Sequence, residues 1–187
     1  MKRIRTNQGS AAPFEKLYYA SKLFSVGEIG VACSEAGLCE VNLRKPAAWL
    51  QKNEFKPRSD RKAILARQAI SEIEEFLNGR RLEFTVPLDL KGTAFQMRVW
   101  KELRKIPYGE TRSYADIARA VGRPRAYRAV GMANHWNPVA IIIPCHRVVA
   151  SDGSLGGYAG GLEMKARLLE IEASVNIPGR QGMVRHA

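Results

Sequence analysis

Histidine and cysteine are scarce in this chain, with three of each among 187 residues. Three cysteines, an odd number, exclude the disulfide framework of a small secreted domain, and a reducing, intracellular home is expected. No uncharged apolar stretch approaches the roughly 18 residues of a membrane helix. The most apolar run, residues 138–144, is only strand-sized. The basic start, residues 1–5, leads into no apolar core, so no signal peptide is expected. Acidic residues are also in deficit. Lys and Arg number 30 against 18 Asp and Glu, a formal net charge of +12. Apolar residues at 45% and charged residues at 26% exclude a disordered chain. At roughly 150 residues per domain the length suits one good core, or two small ones sharing an interface.

The basic excess points to a polyanionic partner, most often nucleic acid. Its position sharpens the point. Residues 98–128 hold nine basic side chains and three acidic ones, a net of +6, half of the whole excess. No long run of like charge occurs there, so the stretch reads as a folded basic face.

Residues 1–13 read as a polar arm. From 16 to 43 the pattern is that of strands, with a hairpin across Ser34-Glu-Ala-Gly37. Residues 44–58 read as a loop. Ser59 or Asp60 caps a helix running to Leu77, with Ala66, Ala69, Ile70, Ile73, Phe76 and Leu77 on one face and Asn78-Gly79 as its stop. Leu82, Phe84, Val86 and Leu88 alternate with polar residues and Pro87, the pattern of a half-buried edge strand. At about Asp89 the character changes and helices take over. Thr93-Ala-Phe-Gln96 has the form of a capping box, followed by a stripe of Phe95, Val99, Leu103 and Ile106. Thr111 or Ser113 opens a short helix over 114–121 that Gly122 closes. Pro124 sits as an N1 proline of a further helix to about Ala133. Short helix, glycine turn and second helix make a helix-turn-helix pattern. The predicted fold is α+β: a small sheet-plus-helix domain over 1–90, a mostly helical domain over 91–175, and a tail over 176–187.

Residues 141–149 carry the chemistry. A buried β run breaks at Pro144 and delivers Cys145, His146 and Arg147 side by side. A cysteine beside a cationic group favours thiolate, and Arg147 is the near candidate. Neighbours in an extended strand face opposite ways, so a Cys–His pairing requires a kink or a bridging water. Gly156-Gly-Tyr-Ala-Gly-Gly161 is a loop able to approach a flat ligand closely. A last helix, 162–173, places Leu162, Ala166 and Leu169 on one face. Glu170 and Glu172 near its C-terminal end oppose the helix dipole, so each is either exposed or held for a reason.

Pro144-Cys-His-Arg-Val148, with Asn137-Pro138 before it and Gly157-Tyr-Ala-Gly-Gly-Leu162 after it, resembles the O6-alkylguanine-DNA alkyltransferases. The likeness continues upstream through Arg128-Ala-Val-Gly131, Ser113-Tyr-Ala-Asp-Ile-Ala118, Ile106-Pro-Tyr-Gly-Glu-Thr111 and Thr93-Ala-Phe-Gln96. It is close over about 92–173 and loose over 14–90, where it implies a ribonuclease H-like supporting domain. The resemblance implies direct-reversal repair: the protein binds duplex DNA, flips an O6-alkylguanine out of the stack and moves the alkyl group irreversibly to a cysteine. It leaves O4-alkylthymine open as a second substrate. Cys145 matches the acceptor, His146 the base that takes the thiol proton through a water, and Glu172 the carboxylate behind it. Asn137 matches the brace of the active-site turn, and Tyr114 the phenol that donates to guanine N3. Backbone groups of Cys145 and Val148 read the exocyclic amine, with Tyr158 and Ala159 beside the base. Arg128 matches the side chain that fills the gap left by the flipped base. Thr93, Gln96, Ser113, Arg123, Arg125, Ala126, Tyr127 and Ala129 complete the DNA-binding set. No metal or other cofactor, no membrane and no second subunit is implied. The expected location is the cytoplasm, or the nucleus in a eukaryote.

The chemistry of the residues agrees with this. A free thiol near pKa 8.5 is only a few per cent ionised at pH 7, so a nearby base is needed. Guanine leaves poorly as an anion, and a donor such as Tyr114 lowers that barrier. The chain also departs from the family pattern. Ala159 stands where many relatives have serine, Tyr127 where a small residue is usual, Trp136 where a small or polar residue is common, and Ala140 where proline is frequent. Ala140 predicts a looser pocket wall. Some relatives carry zinc in the N-terminal half, but Cys33 and Cys39 without a histidine make a poor zinc site. Three rivals stand against this reading: a non-catalytic lesion sensor of the same fold, a helix-turn-helix regulator without chemistry, and a cysteine hydrolase.

Overall fold

The computed structural model describes residues 17–44, 46, 48 and 63–175. The predicted arm, the capping Ser59 and Asp60, and the tail lie outside the described residues. Most of the predicted loop over 44–58 does too; Pro46 and Ala48, which are described, are helical rather than looped.

Three antiparallel strands form a meander: β1 (Tyr18–Phe24), β2 (Gly27–Cys33) and β3 (Leu38–Asn42). The predicted hairpin is β2–β3, with a bulge between Ala32 and Cys33. Its turn closes through Ser34, whose Oγ accepts the N–H groups of Ala36 and Gly37. Helix α1 (Ile64–Leu77) covers the sheet with Ala66, Ala69, Ile73 and Phe76, four of the six residues assigned to its inner face. Gly79 ends it at φ +67°, the left-handed conformation glycine adopts without a Cβ penalty.

The edge strand predicted over 82–88 does not form. Its amides go elsewhere. Thr85 and Val86 donate their N–H groups to the buried carboxylate of Glu72 on α1, at 2.8 and 3.1 Å. Leu88 alone makes a bridge, to Leu38. A period-two apolar pattern describes which side chains face inward, and Val86 does, but the ladder was taken over by a side-chain acceptor that alternation cannot reveal.

The second half is helical: α2 (Ala94–Leu103), α3 (Tyr114–Ala120), α4 (Tyr127–His135) and α5 (Leu162–Ser174). Capping boxes start two of them: Thr93–Gln96 on α2, as expected, and Ser113–Asp116 on α3, which settles the start between Thr111 and Ser113. Pro124 is in the turn before α4, not at its first position; the helix begins at Tyr127 and runs to His135, two residues past the expected end. Helix α2 rests on α4 through Val99, Trp100 and Leu103, and the Trp100 indole donates to the Ala133 carbonyl at 2.9 Å. One apolar cluster runs through both halves. The Val41 N–H of β3 donates to the Pro138 carbonyl at 2.7 Å, so the sheet grips the loop that leads to Cys145.

That loop corrects a second expectation. The apolar run 138–144 is buried from Val139 onward but is no strand. It turns twice, with Ile141 at φ +76°, a conformation that costs a β-branched residue roughly 1–2 kcal/mol. Asn137 holds it there: Nδ2 donates to the Ile143 carbonyl at 2.8 Å and Oδ1 accepts the Val139 N–H at 3.1 Å. The short parallel pair β4 (Arg112–Ser113) and β5 (Val148–Val149) joins the start of α3 to the segment after the cysteine. Helix α5 buries Lys165, Leu168 and Glu172, whereas Leu162 is exposed and Ala166 and Leu169 are only half-buried. Its inner face therefore sits about one position from the apolar triplet expected, because two charged residues point inward.

Candidate active site

Pro144 ends the buried loop, and Cys145, His146 and Arg147 form a single 3-10 turn. This turn supplies the kink that an extended strand lacks. All three side chains are buried, His146 completely.

Cys145 Sγ accepts from Asn137 Nδ2 at 3.1 Å, so one amide group braces the loop and touches the sulfur. Burial pushes the thiol up to about 11, against the opposing pull of the Asn137 hydrogen bond and the charge of Lys165. The resting sulfur is thus a thiol that needs a base.

That base stands one residue on. His146 Nε2 lies 2.7 Å from Glu172 Oε1 on α5. The carboxylate accepts, so Nε2 carries the proton and Nδ1 holds the free lone pair. Nδ1 is buried and has no hydrogen-bond partner among the described residues. Burial against Phe76 and Tyr158, whose rings stand edge-on to the imidazole, holds His146 below its ordinary value and therefore neutral. Burial opposes ionisation of Glu172, but His146, the Arg147 guanidinium and the Gly109 N–H outweigh it and hold the carboxyl below the usual range.

Arg147 does not face the sulfur as expected. Its Nε donates to both Glu172 oxygens at 3.0 Å and its Nη1 to the Ile106 carbonyl at 2.7 Å. Gly109 N–H adds a bond of 2.6 Å to the same carboxylate. The cation that acts on Cys145 is Lys165, which sequence reasoning missed. Its Nζ donates to the carbonyls of Val148, at 2.6 Å, and Leu155. Burial pushes this ammonium down to about 8. A signal was present: Lys165 and Glu172 lie seven residues apart, two turns along one helix face.

Tyr114 opens α3 with its hydroxyl close against Gly156, where an added Cβ would sit 2.9 Å from it. Burial and the nearby Cys145 raise its phenol above 10, so it remains a donor. Burial raises Tyr158 well above 10 too, and its buried hydroxyl has no partner among the described residues. Val148 is buried and its carbonyl already accepts Lys165, leaving a second lone pair for a ligand donor. Ala159 is half-buried in the glycine-rich loop. Ala140 is buried in the turn, and Trp136 ends α4 with its ring edge-on to His135.

The basic face is separate and open to solvent. Arg123, Arg125, Tyr127, Arg128 and Ala129 are exposed over the turn and first residues of α4, with Ala126 half-buried. No side chain caps α4. The side chains of Thr93, Gln96 and Ser113 are engaged in the capping boxes of α2 and α3. Cys33 and Cys39 are free thiols buried in the first half, and among the described residues no group of three or more His, Cys, Asp or Glu gathers as metal ligands would.

Two family descriptions match the chain: "6-O-methylguanine DNA methyltransferase, ribonuclease-like domain" over residues 17–90, and "6-O-methylguanine DNA methyltransferase, DNA binding domain" over residues 94–174. A methylated-DNA–protein-cysteine methyltransferase of Methanosarcina barkeri is 44% identical over 163 residues, 83% of this chain and 97% of the relative. The crystal structure of the Mycobacterium tuberculosis O6-methylguanine methyltransferase aligns with a TM-score of 0.76 at 41% identity, covering 87% of this chain and 96% of that one. The crystal structure of the same organism's OGT in complex with DNA aligns with a TM-score of 0.74 at 42% identity, over 84% of this chain and 93% of that one.

Proposed function

The chain belongs to the 6-O-methylguanine-DNA methyltransferase family, and on that premise we propose the roles of its residues in the repair it performs. The protein removes the O6-alkyl group of guanine in double-stranded DNA and keeps it on a cysteine, each molecule acting once. The observation that carries the site assignment is a buried cysteine sharing one 3-10 turn with a neutral histidine, whose Nε2 is held by Glu172 and whose buried Nδ1 has no partner among the described residues.

The steps follow from these groups. Neutral His146 takes the thiol proton of Cys145 at Nδ1, through a bridging water, and Glu172, held in place by Arg147, stabilises the imidazolium that forms. Lys165 and Asn137 stabilise the thiolate. The sulfur attacks the alkyl carbon; the S–C bond forms as the C–O6 bond breaks. The electron pair moves into the guanine ring, and Tyr114 donates at N3 as that charge develops. The proton lost by the thiol ends on guanine, so the products are guanine and S-alkylcysteine. The thioether has no leaving path, which fixes the stoichiometry at one.

The target atom is inaccessible inside a duplex, so the base is turned out at a cost of a few kcal/mol. Arg123 and Arg125 meet phosphate and Arg128 enters the stack. Tyr158, Ala159 and the backbone of Cys145 and Val148 line the base. Thr93, Gln96 and Ser113 set the helix starts that face the duplex, through their backbone groups and caps, with Ala126, Tyr127 and Ala129 beside the finger. We take residues 1–90 as the supporting unit, 91–175 as the repairing unit and 176–187 as a tail. The protein works as a monomer without metal, in the cytoplasm, or in the nucleus of a eukaryote. Among the described residues no helix is long and apolar enough to cross a membrane.

Cys145→Ser tests the assignment. It retains binding to a duplex with one O6-methylguanine and transfers nothing. Transfer by that variant at a rate near the parent's overturns the choice of nucleophile.

A further inference from the structure

Tyr127 opens α4 with 48% of its surface exposed, a large ring left in water on the basic face. Neighbouring side chains on a helix point about 100° apart. Even so, the guanidinium carbon of Arg128 lies 5.8 Å from the centre of the Tyr127 ring, within the reach of a cation–π contact. Among the described residues no carboxylate pairs with Arg128. The acidic side chains of α3 and of the segment leading into β4 are committed elsewhere, Asp116 to Arg119 and Ser113, and Glu110 to Arg112. The ring is thus the group that holds the guanidinium. A long arginine left unheld spreads over many rotamers, and only those projecting from the helix start can enter a base stack.

We propose that Tyr127 is a positioning residue for Arg128: its aromatic face holds the guanidinium projecting from the start of α4, ready to fill the gap in the duplex. This rests on the reading of Arg128 as the residue that replaces the flipped base. It gives a physical use to a tyrosine at a place where bulk is otherwise a burden in a narrow minor groove. An exposed cation–π contact is worth a factor of about two to five in the population of the held state, and that factor passes into the rate of repair in duplex DNA.

The test is the single-turnover rate on a duplex with one O6-methylguanine, divided by the rate on free O6-benzylguanine. The quotient cancels any loss of active protein. Tyr127→Ala and Tyr127→Leu lower the quotient about two- to fivefold, and Tyr127→Phe restores it to the parent value. In an Arg128→Ala background, Tyr127→Ala lowers it no further. A 2-aminopurine beside the lesion brightens more slowly on mixing with Tyr127→Ala, since base opening is the step affected. Several results overturn the proposal: a parental quotient for Tyr127→Ala, a Phe variant as poor as Ala, or a loss that adds to that of Arg128→Ala, which assigns the ring its own contact with DNA. A parental quotient for Arg128→Ala instead refutes the underlying role of Arg128, and the two failures are told apart by that variant alone.

Discussion

Replacing Glu172 by glutamine changes one atom of the site and two properties. The native carboxylate accepts from His146 Nε2 at 2.7 Å, from Arg147 Nε at 3.0 Å and from Gly109 N–H at 2.6 Å. A glutamine has one acceptor oxygen. Arg147 and Gly109 both require it, so the amide NH2 turns to His146. An amide donor at Nε2 forces the proton to Nδ1, the nitrogen that must receive the thiol proton. A wrong tautomer of this kind costs up to about 10⁴ in rate in the comparable serine triad, and we expect a fall of about 10²–10⁴ here. Stability falls as well, because Arg147 stays buried without its anion. Removing one partner of a buried ion pair costs about 3–5 kcal/mol. The retained shape and oxygen place this change near the low end, about 3 kcal/mol, or roughly 6–12 °C in Tm for a chain of this size. Rapid-quench transfer from duplex DNA, run well below the variant's melting point and paired with a thermal melt, measures both effects. A fully folded Glu172→Gln protein that transfers within about threefold of the parent rate refutes the argument. A stability loss alone does not support it, because packing by itself could produce that.

Asn137→Ala removes three hydrogen bonds from the loop that holds Ile141 at φ +76°. At about 1 kcal/mol each it lowers stability by about 3 kcal/mol in a denaturant titration, and transfer slows; a change under 1 kcal/mol means the loop is held by something else. Transfer stays flat down through pH 6.5 and falls only below it, since burial lowers the His146 pKa and the neutral form is the active one. The same shift makes stability fall as pH drops below about 6.5, because the unfolded chain then binds the proton that the folded one refuses. On the alkaline side the rate bends downward near pH 8 as Lys165 loses its charge, and Lys165→Met abolishes that bend; an unchanged alkaline limb separates Lys165 from the thiolate. Gly156→Ala puts a Cβ 2.9 Å from the Tyr114 hydroxyl at a φ of +62°. It costs about 1–2 kcal/mol in strain alone, and a melt together with a slower duplex rate reports it.

Local signals carried much of this account. The capping box of α2 is spelled out in Thr93-Ala-Phe-Gln96, and α1 shows its inner face in its spacing. Cys145 and His146 stood out as a cysteine beside a histidine; the helix dipole marked Glu170 and Glu172 alike, and only the resemblance chose Glu172. What failed were readings in which one buried polar side chain decides. Glu72 drew the amides of Thr85 and Val86 out of a strand ladder. Asn137 folded the most apolar stretch of the chain into a turn. Arg147 stood two residues from the cysteine in sequence, yet it went to Glu172, and the cation acting on the sulfur came from Lys165, twenty residues on. Hydrogen bonds to a single buried side chain leave no period in the sequence, and each of these corrections has that cause.

The central claim is irreversible transfer to one named sulfur. Intact-protein mass after incubation with excess duplex carrying one O6-methylguanine, followed by peptide mapping, tests it most directly. The account predicts a gain of one methyl group per molecule, located on Cys145, with no repair beyond one equivalent. An unchanged mass with tight, lesion-selective binding would contradict it and make the protein a sensor.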